Sequence, residues 1–183
     1  MIMDRRFFIA GAAALTAVVA GASPAAPAVQ RGLGNYRKLS LVNNRTGEWV
    51  NSVYWVDGDY IPEALDPINH ILRDWRQDKT KRIDRTVLDI LSATHGLLDT
   101  PEPFEIVSGY RTPATNKLLR SKSKGVASNS YHIRGMAIDI TLKSRSVRQI
   151  SGAGLSLNAG GVGRYSRSQF VHLDSGPVRT WGR

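Results

Sequence analysis

The chain has no cysteine among its 183 residues. That excludes disulfide staples and thiolate metal sites, so the fold must stand on its own core and any metal must be held by histidine and carboxylate groups. Histidine is itself scarce, with four residues, which leaves few ways to build such a site. Negative charge is also in short supply. Fifteen Asp and Glu face 25 Lys and Arg, a net charge of +10 that suits an anionic partner without naming one. The one marked apolar run, from Phe7 to Ala22, falls short of the ~20 residues that a spanning helix needs. Beyond it there is no internal repeat, no low-complexity tract, and neither a basic helix nor an aromatic RNA-binding motif, so nucleic acid is not an expected partner.

What is present begins with a leader. Asp4-Arg5-Arg6 precedes the apolar run, and small residues at Ala26 and Ala28 follow it. This is the pattern of a cleavable export signal of the twin-arginine type over residues 1–28. It implies a periplasmic protein with no stable membrane insertion once the signal is removed. Residues 29–36 read as a short polar connection, and residues 37–183 as a single domain of ordinary globular composition.

Within that domain, "KLSLVN" and "EWVNSVYWV" alternate in hydrophobicity around the turn residues "NRTG", which predicts an N-terminal β-hairpin. "PEALDPINHILRDWRQ" carries Leu65, Ile68, Ile71, Leu72 and Trp75 at helical spacing, and Asp84 is placed to cap a second helix with Val87, Leu88, Leu91 and Leu98 inward. "FEIVSGYR", "MAIDITL" and "FVHLD" read as strands, with short helical stretches at "PATNKLLRS" and "SVRQIS". Short connections between interleaved elements predict an α+β fold: a small, mainly antiparallel sheet flanked by helices.

Strand periodicity makes a metal site possible. In "MAIDITL", Met136, Ile138, Ile140 and Leu142 share one face, which turns Asp139 to the other. In "FVHLDSG", His172 and Asp174 share a face opposite Val171 and Leu173. His132 lies seven residues before Asp139, and Gly135 between them permits a sharp bend. If the two strands are neighbours, His132, Asp139 and His172 converge as two nitrogens and an oxygen with a fourth position free, the form of a catalytic zinc site. Ordinary hydrogen-bonded roles for these residue types fit the same spacing. His70 and His95 sit in helical stretches without a comparable frame and read as structural.

Taken together, "SYHIRGMAIDI" and "GVGRYSRSQFVHLDSG" resemble the S-x-H-x-x-G-x-A-x-D signature and last histidine motif of the LAS metallopeptidases (lysostaphin, D-Ala-D-Ala peptidases, hedgehog). The similarity is greatest to the YcbK/MepK-like murein endopeptidases and runs from about Leu39 to Trp181. The resemblance implies one zinc ion per chain on His132, Asp139 and His172, with peptidoglycan cross-linking peptides as substrate. It matches Arg111 to an arginine beside the scissile carbonyl, where a cation would stabilise the developing oxyanion; a salt-bridged turn arginine is the plainer alternative. Ser130, at the head of the signature, fits either a contact to substrate backbone or a shaping role in its loop. Asn116 fits a tie to the helix that follows it. Tyr110, Tyr131, Tyr165 and Trp181 are candidates to line a peptide groove, with Tyr110 next to Arg111.

One departure stands out. Where many of these peptidases carry a Glu or His just before the last ligand, this chain has Gln169 and Phe170. Asp174 is then the nearest candidate for a catalytic base, or else a carboxylate supporting a ligand histidine. The missing base keeps open a non-catalytic zinc-containing peptidoglycan-binding protein as the alternative.

Overall fold

The computed structural model describes residues 35–123 and 125–182, so the expected leader and nearly all of the polar connection lie outside the described residues. Eight strands form one sheet: β1 (Tyr36–Asn43), β2 (Glu48–Val56), β3 (Asp59–Tyr60), β4 (Phe104–Ser108), β5 (Ala137–Thr141), β6 (Gly161–Tyr165), β7 (Phe170–Asp174) and β8 (Arg179–Gly182). Among the described residues five helices accompany them: α1 (Pro62–Ile71), α2 (Arg85–Leu98), α3 (Pro113–Lys122), the single turn α4 (Tyr131–Arg134) and α5 (Val147–Ser156). The strand order is β3-β2-β1-β4-β5-β7-β6-β8.

The α+β class holds, but the sheet is neither small nor mainly antiparallel: it is mixed. β1 lies parallel to β4, and β6 parallel to β8. The first pairing follows from chain path, because α1 and α2 intervene between the β1–β2 ribbon and β4 and allow the chain to re-enter the sheet in the same direction. The second arises because the chain reverses twice, through β7, before β8 is laid on the far edge of β6.

Leu39, Leu41, Phe104, Ile138, Ile140, Val171 and Leu173 supply the buried face of the sheet. Against it pack Ile68 and Ile71 of α1, Val87, Leu88 and Leu91 of α2, and Ile150 of α5. Each such side chain contributes roughly 1.5–3 kcal/mol on burial. Asp84 caps α2 by accepting from the Val87 N–H at 3.2 Å, and Ser146 with Gln149 forms a capping box on α5. A polar group is buried as well. Asp89 of α2 takes hydrogen bonds from Tyr54 (2.9 Å) and Tyr60 (2.6 Å) and pairs with Arg37, fastening three strands to one helix.

α1 ends sooner than its apolar spacing predicts. Asp74 leaves the helical path to pair its N–H with Lys79 O (3.0 Å), and Trp75, expected inward, is 36% exposed. The carbonyl of Leu72 instead accepts the N–H of Tyr110 at 2.7 Å. Gly109 permits this, since a Cβ there would lie 2.2 Å from Leu72 O.

Candidate metal centre

The face of the sheet opposite the helices carries a row of residues in register: Ser108 of β4, Asp139 of β5, His172 of β7, Gly163 of β6 and Trp181 of β8. Asp139 and His172 are therefore direct cross-strand partners, the condition that the sequence reading required. His132 joins them from α4. Ser130 caps that turn by accepting from the His132 N–H (3.3 Å), and Gly135 ends it at φ 72°, so the bend expected at Gly135 is a helix C-cap rather than an open loop.

The three side chains meet edge to edge. His132 Nε2 lies 3.2 Å from His172 Nδ1 and 3.2 Å from Asp139 Oδ1, and His172 Nδ1 lies 2.8 Å from the same Oδ1. Two ligands on a tetrahedral ion with bonds of ~2.0–2.1 Å stand about 3.3 Å apart, so the triangle has the right size for a metal. The tautomers agree with it. His132 Nδ1–H donates to Gly109 O at 2.7 Å, which leaves the Nε2 lone pair aimed into the triad. His172 Nε2–H donates to Asp174 Oδ2 at 2.9 Å, which turns Nδ1 inward. His132, Asp139 and His172 are thus a group that could bind a metal ion.

Charge at the site follows from its burial and pairing. Burial pushes His132 toward the neutral form, against the opposing pull of Asp139. Burial also opposes ionisation of Asp139, yet the two histidines outweigh it and hold that carboxyl well below the usual carboxylate range. For His172 desolvation is overcome by hydrogen bonds to Asp139 and Asp174, which raise it to about 9. The environment favours positive charge at the centre of the triad.

A second row, one register step along, runs Ala137, Asp174, Gly161, Arg179. Asp174 and Arg179 are two strands apart and meet over Gly161, whose Cβ would lie 2.4 Å from Arg179 Nη1 and 2.5 Å from Asp174 Oδ2. Asp174 is fully buried, and both of its oxygens are occupied. Oδ2 accepts from His172 Nε2 (2.9 Å) and Arg179 Nη2 (2.6 Å); Oδ1 accepts from Gly176 N (2.8 Å) and Arg179 Nη1 (3.0 Å). Although burial pushes it up, these donors hold its pKa at about 2. All four of these contacts are to donors of the protein itself, the geometry expected of a carboxylate that supports His172.

The cleft over the triad has a volume of about 430 Å³ and is lined by Arg111, Ser130, Tyr131, Tyr165, Phe170, Arg179 and Trp181 as well as the three triad residues. Arg111 donates to Asp139 Oδ2 at 2.5 Å and to Ser108 Oγ at 2.8 Å, so it is both salt-bridged and cleft-facing. Ser130 has its hydroxyl engaged with backbone. Asn116 lies inside α3 and ties it to the loop before Ser130 through Nδ2–H to Ala127 O (3.0 Å). Tyr110 is not part of the cleft wall. Its backbone is pinned to Leu72, and its ring lies 5.6 Å below the Lys81 ammonium, on the core. His70 pairs with Glu48 and His95 with Glu102 O, both away from the triad. The residue that sequence reasoning missed is Arg179, for which the spacing of "GPVRTW" gives no signal; only the register across β6 brings it to Asp174.

A family model described as peptidoglycan L,D-endopeptidase MepK matches residues 32–181. The Escherichia coli (strain K12) protein named peptidoglycan L,D-endopeptidase MepK is 45% identical over 145 residues, covering 79% of this chain and 80% of that protein. A Haemophilus influenzae protein named probable peptidoglycan L,D-endopeptidase MepK is 34% identical over 148 residues, covering 79% of this chain and 78% of its own.

Proposed function

Because the chain belongs to the peptidoglycan L,D-endopeptidase MepK family, we propose that it is a zinc-dependent murein endopeptidase that hydrolyses the peptide cross-links of peptidoglycan. The observation that carries this reading is the His132–Asp139–His172 triangle, tautomerically set and open to a cleft. The bond it cuts is taken to be the direct diaminopimelate–diaminopimelate link, and residues 37–183 form the single catalytic domain. The leader over residues 1–28 directs it to the periplasm by the twin-arginine route, where that polymer lies.

A zinc ion held by the triad would supply Lewis acidity, making water a nucleophile at neutral pH and polarising the scissile carbonyl. The remaining roles fall to the chain's own groups. Arg111 stands beside Asp139 with its charge in the cleft, placed to offset the negative charge that gathers on the carbonyl oxygen. Asp174 and Gly109 O fix the two imidazoles, so neither ligand must reorient during the reaction. Tyr131, Tyr165 and Trp181 wall the cleft and narrow the space open to bulk water. Ser130 acts by shaping the turn that presents His132.

One observation favours the second reading, a non-catalytic zinc-containing peptidoglycan-binding protein. Among the described residues lining the cleft, no acid or histidine stands outside the triad. Zinc-loaded protein incubated with cross-linked sacculi separates the two. Release of un-cross-linked muropeptides, abolished by His132→Ala, is expected; intact cross-links with zinc bound would leave the binding reading in place.

A further inference from the structure

Beside the cleft stands a cationic flank that the metal chemistry does not use. Three guanidinium groups converge near the C-terminal end of β4. Arg45, in the turn between β1 and β2, donates through Nη1 to Val107 O (3.0 Å) and Ile106 O (3.4 Å). Arg111 is anchored on Ser108, the last residue of the same strand. Arg76 stacks 4.3 Å from the centre of the Trp75 ring, and the Arg45 guanidinium lies 5.7 Å from the same ring.

Asp74 holds this group against the cleft. Its Oδ2 accepts the N–H and hydroxyl of Thr112 at 2.8 and 2.9 Å, so Trp75 and Arg76 sit on the turn docked to the residue after Arg111. The neighbouring acids are already engaged: Asp139 with Arg111, Asp74 with Thr112 and the Arg76 N–H, and Glu48 and Asp78 with Arg73. Among the described residues, neither Arg45 nor Arg76 forms an ion pair. Desolvation and the charges of Arg45 and Arg111 hold the Arg76 pKa below its ordinary value, with Asp74 opposing. Like charges gathered this closely repel one another and gain from an anion placed between them.

We propose that Arg45, Trp75 and Arg76 form a subsite, continuous with the cleft through Arg111, for a carboxylate of the bound cross-linking peptide. This rests on the endopeptidase reading and adds to it where the substrate's charge is read. Among the described residues, the guanidinium fork of Arg76 has no hydrogen-bond acceptor, and it can meet a carboxylate in bidentate fashion. The exposed Trp75 face can take the aliphatic stem that bears that carboxylate.

The test uses the zinc-loaded protein with a soluble cross-linked peptide dimer in two forms, carboxylates free or amidated. Arg76→Gln and Arg45→Gln are each expected to raise KM for the free form roughly tenfold, the loss of one charge-assisted contact, while kcat moves much less. The amidated dimer should show the raised KM with the wild-type protein and little further change with either variant. Equal KM values for wild type and both variants at low ionic strength would overturn the subsite. So would an equal effect on both dimers, which would mark a general disturbance of the fold. If the wild type cleaves neither dimer, the endopeptidase reading fails by itself. Calorimetric binding of the two dimers to wild type and Arg76→Gln then decides the subsite, with preference for the free form, lost in the variant, as the supporting result.

Discussion

Asp174, Gly161 and Arg179 together set the orientation of His172, and the smallest of them is the most informative to change. Alanine at position 161 alters no charge and removes no hydrogen-bonding group, but its methyl would press on Arg179 Nη1 and Asp174 Oδ2. Both contacts are side-chain ends, so the clamp can open without disrupting the backbone. If the triad holds zinc as proposed, Gly161→Ala is expected to weaken its binding by roughly 10–100-fold, the cost usual when a partner of a ligand histidine is disturbed. Chelator competition measures it, and an altered visible spectrum of the cobalt-substituted protein should accompany it. An unchanged affinity would mean that His172 holds its orientation without Asp174. At this scale the meeting of the triad was legible in the sequence, because strand alternation put Asp139 and His172 on one face. Arg179 was not, since it reaches Asp174 only because β6 lies between β7 and β8 in the sheet, an order that the chain sequence does not announce. Tyr110 was misplaced for a related reason: its neighbour Arg111 faces the cleft, and a backbone bond to Leu72 turns the tyrosine away.

Among the elements, the turn after α1 departs most from its sequence pattern. Apolar spacing extended the helix through Trp75, whereas Asp74 gains more from ending it. Buried, Asp74 accepts from the Arg76 N–H and from both donors of Thr112, the N-cap of α3. Burial pushes its carboxyl up, but the nearby Thr115 hydroxyl and the donors of Thr112 and Arg76 outweigh this and hold its pKa below the ordinary value. A carboxyl with a depressed folded pKa contributes its full stability above its unfolded value of about 4 and loses it as pH falls through that value toward the folded one. Asp74→Asn should thus be less stable at neutral pH by about 1.5–3 kcal/mol, the range for hydrogen bonds to a charged group. The gap between the two unfolding curves should close as pH drops below about 4; a gap constant from pH 7 to 3 would show that ionisation of Asp74 is not what matters. Sequence reasoning missed β3, β6 and β8, and for β6 the silence has a physical reason. "GVGRY" has two glycines where strand formers are expected, and at both a side chain from β8 fills the room a Cβ would need: Arg179 over Gly161 and Trp181 over Gly163. Site construction overrode the local signal.

For the molecule as a whole, the α+β class was legible from periodicity, while the mixed sheet was not, because strand direction depends on where the chain returns and not on what it contains. That path gives the sheet two unequal margins. At one, Asp89 fastens α2 to β1, β2 and β3 through Arg37, Tyr54 and Tyr60. At the other, four-residue β8 lies on β6 with no strand beyond it among the described residues, and short margins of this kind open at lower free energy than the core they border. Arg179 and Trp181 both ride on that strand. Warming should therefore loosen the grip on the proposed zinc ion some degrees before the chain unfolds, seen as metal release to a chromophoric chelator ahead of the far-ultraviolet transition. Coincident transitions would mean that β8 melts with the core. In that sense the margin serves as a fuse: the first part of the sheet to part is the one whose parting disarms the site.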